Sequence, residues 1–214
     1  MSRFPISGDP GFPEKLFPDE NSIDRDPFYQ FTVWFKDALD AGVSEPEAMF
    51  LATADKNGIP SGRIVLLKGF DAKGFVFFTN YSSRKGAEIA VNPFAAIVFH
   101  WKELERQVRI TGNVEKTTVG ESDEYFASRP LDSRISATIS AQSKVIPGRM
   151  DLERKFMEMK QQVEGKEPGR PDSWGGFRII PDTFEFWQLR PHRLHDRIQY
   201  RLDEGRWIIE RLAP

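Results

Sequence analysis

Apolar positions change period several times along the chain, and each change marks an element. Phe28, Phe31, Phe35 and Leu39 recur at helical spacing behind Asp26-Pro27, an N-cap followed by proline at the first helical position. The pattern predicts a helix with one aromatic face on a core, ended by Gly42. From Ala48 short β runs take over: Phe50 to Ala54, Gly62 to Phe70 and Phe75 to Asn80. The last two flank Asp71-Ala72-Lys73-Gly74, a hairpin signal. A short helix from Ser82 to Asn92 stops before Pro93, and strands follow over Phe94 to Trp101 and Gln107 to Lys116. Thr118-Val119-Gly120-Glu121 has the form of a capping box, opening a helix through about Ser128. Ser133 to Ala141 reads as another short helix, and Leu152, Phe156, Met159 and Val163 mark a longer amphipathic one. A Gly/Pro-rich linker, Gly165 to Pro171, leads to four strands expected at 176–181, 183–188, 195–202 and 206–212. Strands with helices clustered beside them imply the α+β class and a closed or split antiparallel barrel. Residues 1–25, rich in Pro, Gly and acidic groups, read as an irregular N-terminal arm, and 26–214 as a single domain.

Composition narrows the chemistry. The 214 residues suffice for a full hydrophobic core. There is no cysteine, which excludes disulfides, thiolate metal sites and thiol nucleophiles. Thirty Lys and Arg balance 32 Asp and Glu, so a nucleic-acid footprint is absent and any anion site must be a local basic cluster. No stretch has the length or the apolar character of a membrane span or a signal peptide, and a cytoplasmic protein is expected. The chain lacks both G-x-G-x-x-G and the P-loop pattern, and its histidines (His100, His192, His195) form no H-E-x-x-H. Redox chemistry remains open if a cofactor supplies it.

Several segments concentrate cations. Ser82-Ser83-Arg84-Lys85 opens a predicted helix, where cations oppose the dipole unless an anion sits there; the alternative is a solvated basic turn. Arg63 and Lys68 bound one apolar strand, on opposite faces and about 17 Å apart if the strand is regular. Arg193, His195 and Arg197 share a face by period-2 alternation, with Trp187 on the preceding strand. That face either brackets something negative or is the solvated side of an edge strand. Tyr125, Arg129 and Ser133 span a helix end, as a phosphate clamp or as an ordinary C-terminus before Pro130. Gln107 and Gln142-Ser143 are weak signals alone.

In this order, RIVLLKGF (63–70), FFTNYSSRKG (77–86), NPFAAIVFHW (92–101), RQVRITG (106–112), YFASRP (125–130), WGGFRI (174–179), EFWQ (185–188), RLHDR (193–197) and ERLAP (210–214) resemble the pyridoxine/pyridoxamine 5′-phosphate oxidase family. The resemblance covers residues 26–214. It implies an FMN-binding split barrel, working as a homodimer with flavin sites between subunits. It assigns FMN contacts to Arg63, Ile64, Val65, Leu66, Lys68, Phe78, Thr79, Ser83, Arg84, Lys85, Gln107, Gln142, Ser143, Trp187 and Arg197. The substrate phosphate would fall to Lys68, Tyr125, Arg129 and Ser133, with Arg193 and His195 over the substrate ring as catalytic residues. The implied reaction oxidises pyridoxamine or pyridoxine 5′-phosphate to pyridoxal 5′-phosphate. FMN takes the hydride, dioxygen becomes hydrogen peroxide, water hydrolyses the imine formed from the amine and releases ammonia, and no metal takes part.

The chain departs from the family pattern at three places. Residues 1–25 hold no tyrosine, where the family carries Arg-x-x-Tyr. Arg134, Ser136 and Thr138 replace Gln, Gly and Trp, and Leu189-Arg190-Pro191 follows Gln188 where a glycine is usual. A related FMN oxidase of another aromatic heterocycle, as in phenazine biosynthesis, and a non-catalytic flavin or pyridoxal phosphate binder are the competing readings.

Overall fold

The computed structural model describes residues 23–163 and 168–214. The arm expected at 1–25 therefore lies outside the described residues except for its last three, as does most of the first half of the 165–171 linker. Helix α1 (Pro27–Asp40) starts where proline and its N-cap place it, with the Asp26 carboxylate accepting from the Phe28 N–H. Its buried stripe is Pro27, Gln30, Phe31, Trp34 and Ala38. Leu39 lies off that stripe and is exposed, so Trp34 and Ala38, not Leu39, complete the core face.

Among the described residues nine strands form one sheet: β1 (Ala48–Ala54), β2 (Pro60–Leu66), β3 (Gly69–Asp71), β4 (Gly74–Asn80), β5 (Phe94–Trp101), β6 (Arg106–Lys116), β7 (Trp174–Gln188), β8 (Asp196–Asp203) and β9 (Arg206–Arg211). Every pairing is antiparallel, in the order β2-β1-β5-β6-β7-β4-β3, with β8 on β7 and β9 on β8. Two expectations fail here. The run 62–70 is not one strand: β2 pairs with β1, then the Leu67 N–H bonds Glu47 and the Lys68 N–H bonds Val76 on β4. The chain thus changes partners at Leu67-Lys68, which brings β2 alongside β4 and curls the sheet into a barrel. Conversely, 176–181 and 183–188 are one strand, bent by a bulge near Gly112 that accommodates Pro181. The N-terminal half of β7 carries β4 and its C-terminal half carries β8.

Alternation decides what faces inward. Met49, Leu51, Phe75, Phe77, Ile97, Phe99, Val108, Ile110, Phe184, Phe186, Ile198 and Tyr200 fill the barrel. Helix α1 plugs one end: Phe31 packs edge-on against Phe70 and Phe75, and Trp34 against Phe186. Helices α2 (Arg84–Val91), α3 (Val119–Ser128), α4 (Leu131–Ile139) and α5 (Arg149–Gln162) lie outside the barrel. The Thr118/Glu121 capping box of α3 forms as expected. The amphipathic stripe of α5 is only half covered, with Leu152 exposed.

Candidate active site

One cluster lies at the seam where β2 meets β4. Arg63 shares its row with Leu51, Ile97 and Ile110, so it points to the inner side of the sheet. Its guanidinium reaches the Thr53 hydroxyl and the Leu51 carbonyl, and a second nitrogen lies 3.4 Å from Glu88. Ser83 caps α2, accepting from the Gly86 N–H, and puts Arg84 and Lys85 in the first turn, where free amides favour an anion. Glu88, one turn on, accepts from Ser61 at 2.6 Å and Arg84 at 2.8 Å, and from Thr53. Burial pushes the Glu88 carboxyl up, but the bonds from Ser61, Thr53 and Arg84 and the Arg63 charge outweigh it and hold it down at about 2.

Among the described residues Lys85 has no carboxylate of its own. Its ammonium donates to Gln142 Oε1 at 2.7 Å, Thr79 Oγ1 at 3.0 Å and Ser83 Oγ at 3.2 Å. Burial, helped by the Arg63 charge and opposed by Glu88, lowers its pKa to about 8. Three cations around one carboxylate leave an excess of positive charge that a phosphate would neutralise. Gln142 and Ser143 occupy an exposed turn closed by the Lys144 N–H on the Ala141 carbonyl, with Ser143 at φ 70°.

Beside this cradle, β4 turns Phe78 outward under α3. Phe78 stacks on Tyr125 at 4.0 Å and on Trp174 at 5.6 Å. Arg129, the C-cap of α3, lies 4.7 Å over Trp174, and its Nη1 is buried without a hydrogen-bond partner among the described residues. Burial lowers its pKa, against the nearby Tyr125. An orphaned guanidinium N–H is costly and suits an incoming anion. Ser133 stands in the first turn of α4. Lys68, Phe70, Val76, Phe78, Tyr125 and Arg178 are among the residues lining a cavity of about 380 Å³ at this place. Ile64 and Leu66 face outward on β2, Ile64 well exposed, while Val65 packs on the core. Lys68 lies beyond the end of β2, so the regular-strand geometry expected for Arg63 and Lys68 does not apply.

The remaining candidates sit elsewhere. Gln107, Trp187 and Arg197 form one cross-strand row over β6, β7 and β8, on the outward face opposite Val108, Phe186 and Ile198. In the curled sheet β6 is three strands from β2 through β1 and β5, and equally far around the other way through β4 and β7. Arg63 on β2 and Gln107 on β6 therefore stand on opposite walls of the barrel, and the row through Trp187 and Arg197 lies beyond the stretch of β7 that pairs with β4. Arg197 is held by Glu185, with Nε at 2.8 Å and Nη2 at 3.2 Å, which raises its pKa, and by the Ala213 carbonyl at 2.8 Å. The His195 ring lies 4.8 Å from Trp187.

Arg193 departs from expectation. Neither it nor His195 is on β8 or shares a strand face with Arg197: β8 begins only at Asp196, and Arg193 ends a short irregular turn, Pro191–Arg193. His192 (φ 58°) and Arg193 (φ 61°) are consecutive left-handed residues with no glycine. Each such residue costs roughly 1–2 kcal/mol. Sequence reading missed Glu88, Thr53, Ser61 and Glu185. The spacing of Arg84 and Glu88 at i, i+4 was the available signal for Glu88; nothing local marks the others.

A curled antiparallel sheet, split at the seam between β2 and β4 and bearing a basic cradle there, is the split-barrel architecture. It is shared with a Nostoc punctiforme structure described as a pyridoxamine 5′-phosphate oxidase-related, FMN binding protein (TM-score 0.71, 16% identity, 90% of this chain and 100% of the other), a likeness of fold. Residues 35–163 match the family described as pyridoxamine 5′-phosphate oxidase, and 174–214 the pyridoxine 5′-phosphate oxidase C-terminal dimerisation region. The chain belongs to the pyridoxamine 5′-phosphate oxidase family. Curated relatives named pyridoxine/pyridoxamine 5′-phosphate oxidase include those of Paraburkholderia phymatum (58% identical, 92% of each chain) and Burkholderia thailandensis (57%, 92% of each). PhzG from Burkholderia lata, solved with tetrahydrophenazine-1-carboxylic acid, superposes with a TM-score of 0.89 at 30% identity, covering 94% of this chain and 98% of the other. No helix among the described residues is long and apolar enough to cross a membrane.

Proposed function

We propose that the protein oxidises pyridoxamine and pyridoxine 5′-phosphates to pyridoxal 5′-phosphate with FMN and dioxygen. It would do so as a homodimer with both flavin sites between subunits. The observation that carries this reading is the division of the candidate residues into two half-sites on opposite sides of one barrel. A single copy cannot close them on one ligand, whereas two copies related by a twofold axis can. The match of 174–214, which includes Trp187, Arg193, His195 and Arg197, to a dimerisation region supports the same arrangement.

Arg63, Arg84 and Lys85 fit the flavin phosphate, and Ile64 to Leu66 offer an extended backbone along the ring. Gln107, Trp187 and Arg197 of the other copy would complete the cofactor shell. Lys68, Tyr125, Arg129 and Ser133 would hold the substrate phosphate, which gives the buried Arg129 Nη1 its missing acceptor. Arg193 and His195 would cover the substrate ring and orient its 4′ carbon. When bound, FMN would accept the hydride and pass the electrons to dioxygen, giving hydrogen peroxide. The chain's part is to hold the reacting carbon and exclude alternatives by positioning.

Relatives at 55–58% identity carry the B6 oxidase name, which favours this substrate. The PhzG superposition favours a phenazine-type ring as the second reading. Anaerobic mixing with each B6 phosphate should bleach the flavin, and air should restore its colour. Equal rates with a phosphate-free ring would shift the assignment to the second reading; no bleaching at all would leave a binder.

A further inference from the structure

The seven residues between β7 and β8, Leu189 to His195, carry both candidate catalytic side chains and also the two left-handed residues His192 and Arg193. Backbone conformations of this kind persist only where surrounding contacts over-determine them. The contacts here converge on Arg190. Its backbone N–H donates to His195 Nδ1 at 3.1 Å, and its guanidinium pairs with Asp196. Asp196 is gripped again by Arg211 at 2.7 Å from the far strand of the hairpin. Both the Arg190 and Asp196 side chains are more than four-fifths buried, at 17% and 19% exposure, although the loop crest is open to solvent. Leu189 N–H bonds the Glu105 carbonyl, and Leu194 N–H closes the turn on Pro191.

We propose that Arg190 is a positioning residue for Arg193 and His195. Its pair with Asp196 staples the foot of the loop to the first residue of β8. That staple keeps the strained crest from relaxing to right-handed geometry, which would redirect Arg193. Its N–H, held at Nδ1, selects the His195 tautomer that carries the proton on Nε2, with the ring kept beside Trp187. The claim rests on the reading that Arg193 and His195 face the substrate, and its test separates the two.

The test uses the holoenzyme and three variants: Arg190→Ala, Arg190→Lys and Arg193→Ala, with the Ala pair also combined. Anaerobic flavin reduction by pyridoxine 5′-phosphate should slow about tenfold or more in Arg190→Ala with flavin affinity unchanged, and Arg190→Lys should recover most of the rate. Combined with Arg193→Ala, the Arg190 change should add little, because both act through one side chain. Independently of turnover, ¹⁵N spectra of labelled histidine should show His195 as the Nε2–H form in the wild type and as a tautomer mixture in Arg190→Ala, which keeps the backbone N–H but loses the Asp196 staple that aims it at Nδ1. An unchanged spectrum, fully additive rate losses, or loss of flavin without a rate effect would each overturn the proposal. A wild type that neither B6 phosphate reduces would refute the functional reading instead, while the spectra would still decide the role of Arg190.

Discussion

Raising the pH from 7 to 9 should weaken binding of the flavin phosphate about tenfold through one side chain, Lys85. Burial lowers Lys85 to about 8, its three partners being neutral oxygens while Arg63 adds like charge. A phosphate dianion beside it would restore the charged form. Binding above pH 8 then requires proton uptake, and the apparent affinity follows the protonated fraction, roughly 0.9 at pH 7 and 0.09 at pH 9. That ratio corresponds to about 1.4 kcal/mol. The phosphate itself, with a second ionisation near 6, is already mostly dianionic over this window. Titrating apoprotein by flavin fluorescence quenching at constant ionic strength measures the slope, with riboflavin, which lacks the phosphate, as control. Folding stability should move the opposite way. The folded pKa lies below the unfolded value of 10.5, so the native state binds fewer protons between pH 8 and 10.5 and the apoprotein gains stability across that interval. Lys85→Met should abolish both slopes. Equal FMN affinity at pH 7 and 9, or the same slope for riboflavin, would refute the assignment of Lys85 to the phosphate.

Glu88→Ala should destabilise the apoprotein by about 3 kcal/mol in denaturant unfolding, since Arg63 and Arg84 lose their buried counter-ion; added FMN should raise Tm more in this variant than in the wild type. In the wild type the Glu88 contribution is present above about 4.5 and lost as the pH falls through about 2, so acid unfolding of Glu88→Gln should lack that step. Lys85→Met and Arg197→Ala should each be nearly inactive alone, yet a mixture allowed to exchange subunits should regain about a quarter of wild-type activity, because half the dimers then hold one intact site. No recovery after verified exchange would put both half-sites in one copy. Arg193→Ala should lower turnover strongly with FMN retained, whereas Arg84→Ala should weaken FMN by roughly 1.5–3 kcal/mol, both read by flavin titration alongside steady-state rates.

Much of the fold was legible because its signals are local. Asp26-Pro27, Thr118 to Glu121, and the hairpin turn at Ala72-Lys73 each state their structure within four residues. The failures are non-local. Leu67-Lys68 looks like mid-strand in an unbroken apolar run, and only its exchange of partners from β1 to β4 breaks it. Pro181 looks like a strand end, yet a bulge carries β7 through it. Arg193 satisfies the alternation of β8 but precedes the strand, because Arg190, His195 and Asp196 tie the preceding residues into a turn.

The site divides in the same way. Motif order and residue type alone supplied the side chains proposed for a flavin and a phosphate, since charge, amide and aromatic character are properties of single residues. Which of them meet was decided by the tertiary structure: Glu88 bringing Arg63 to Arg84, Trp174 lying beneath Arg129, and Gln107, Trp187 and Arg197 turned outward on the far side of the barrel. Sheet curvature and strand pairing join residues more than a hundred positions apart, and no local pattern encodes that closure.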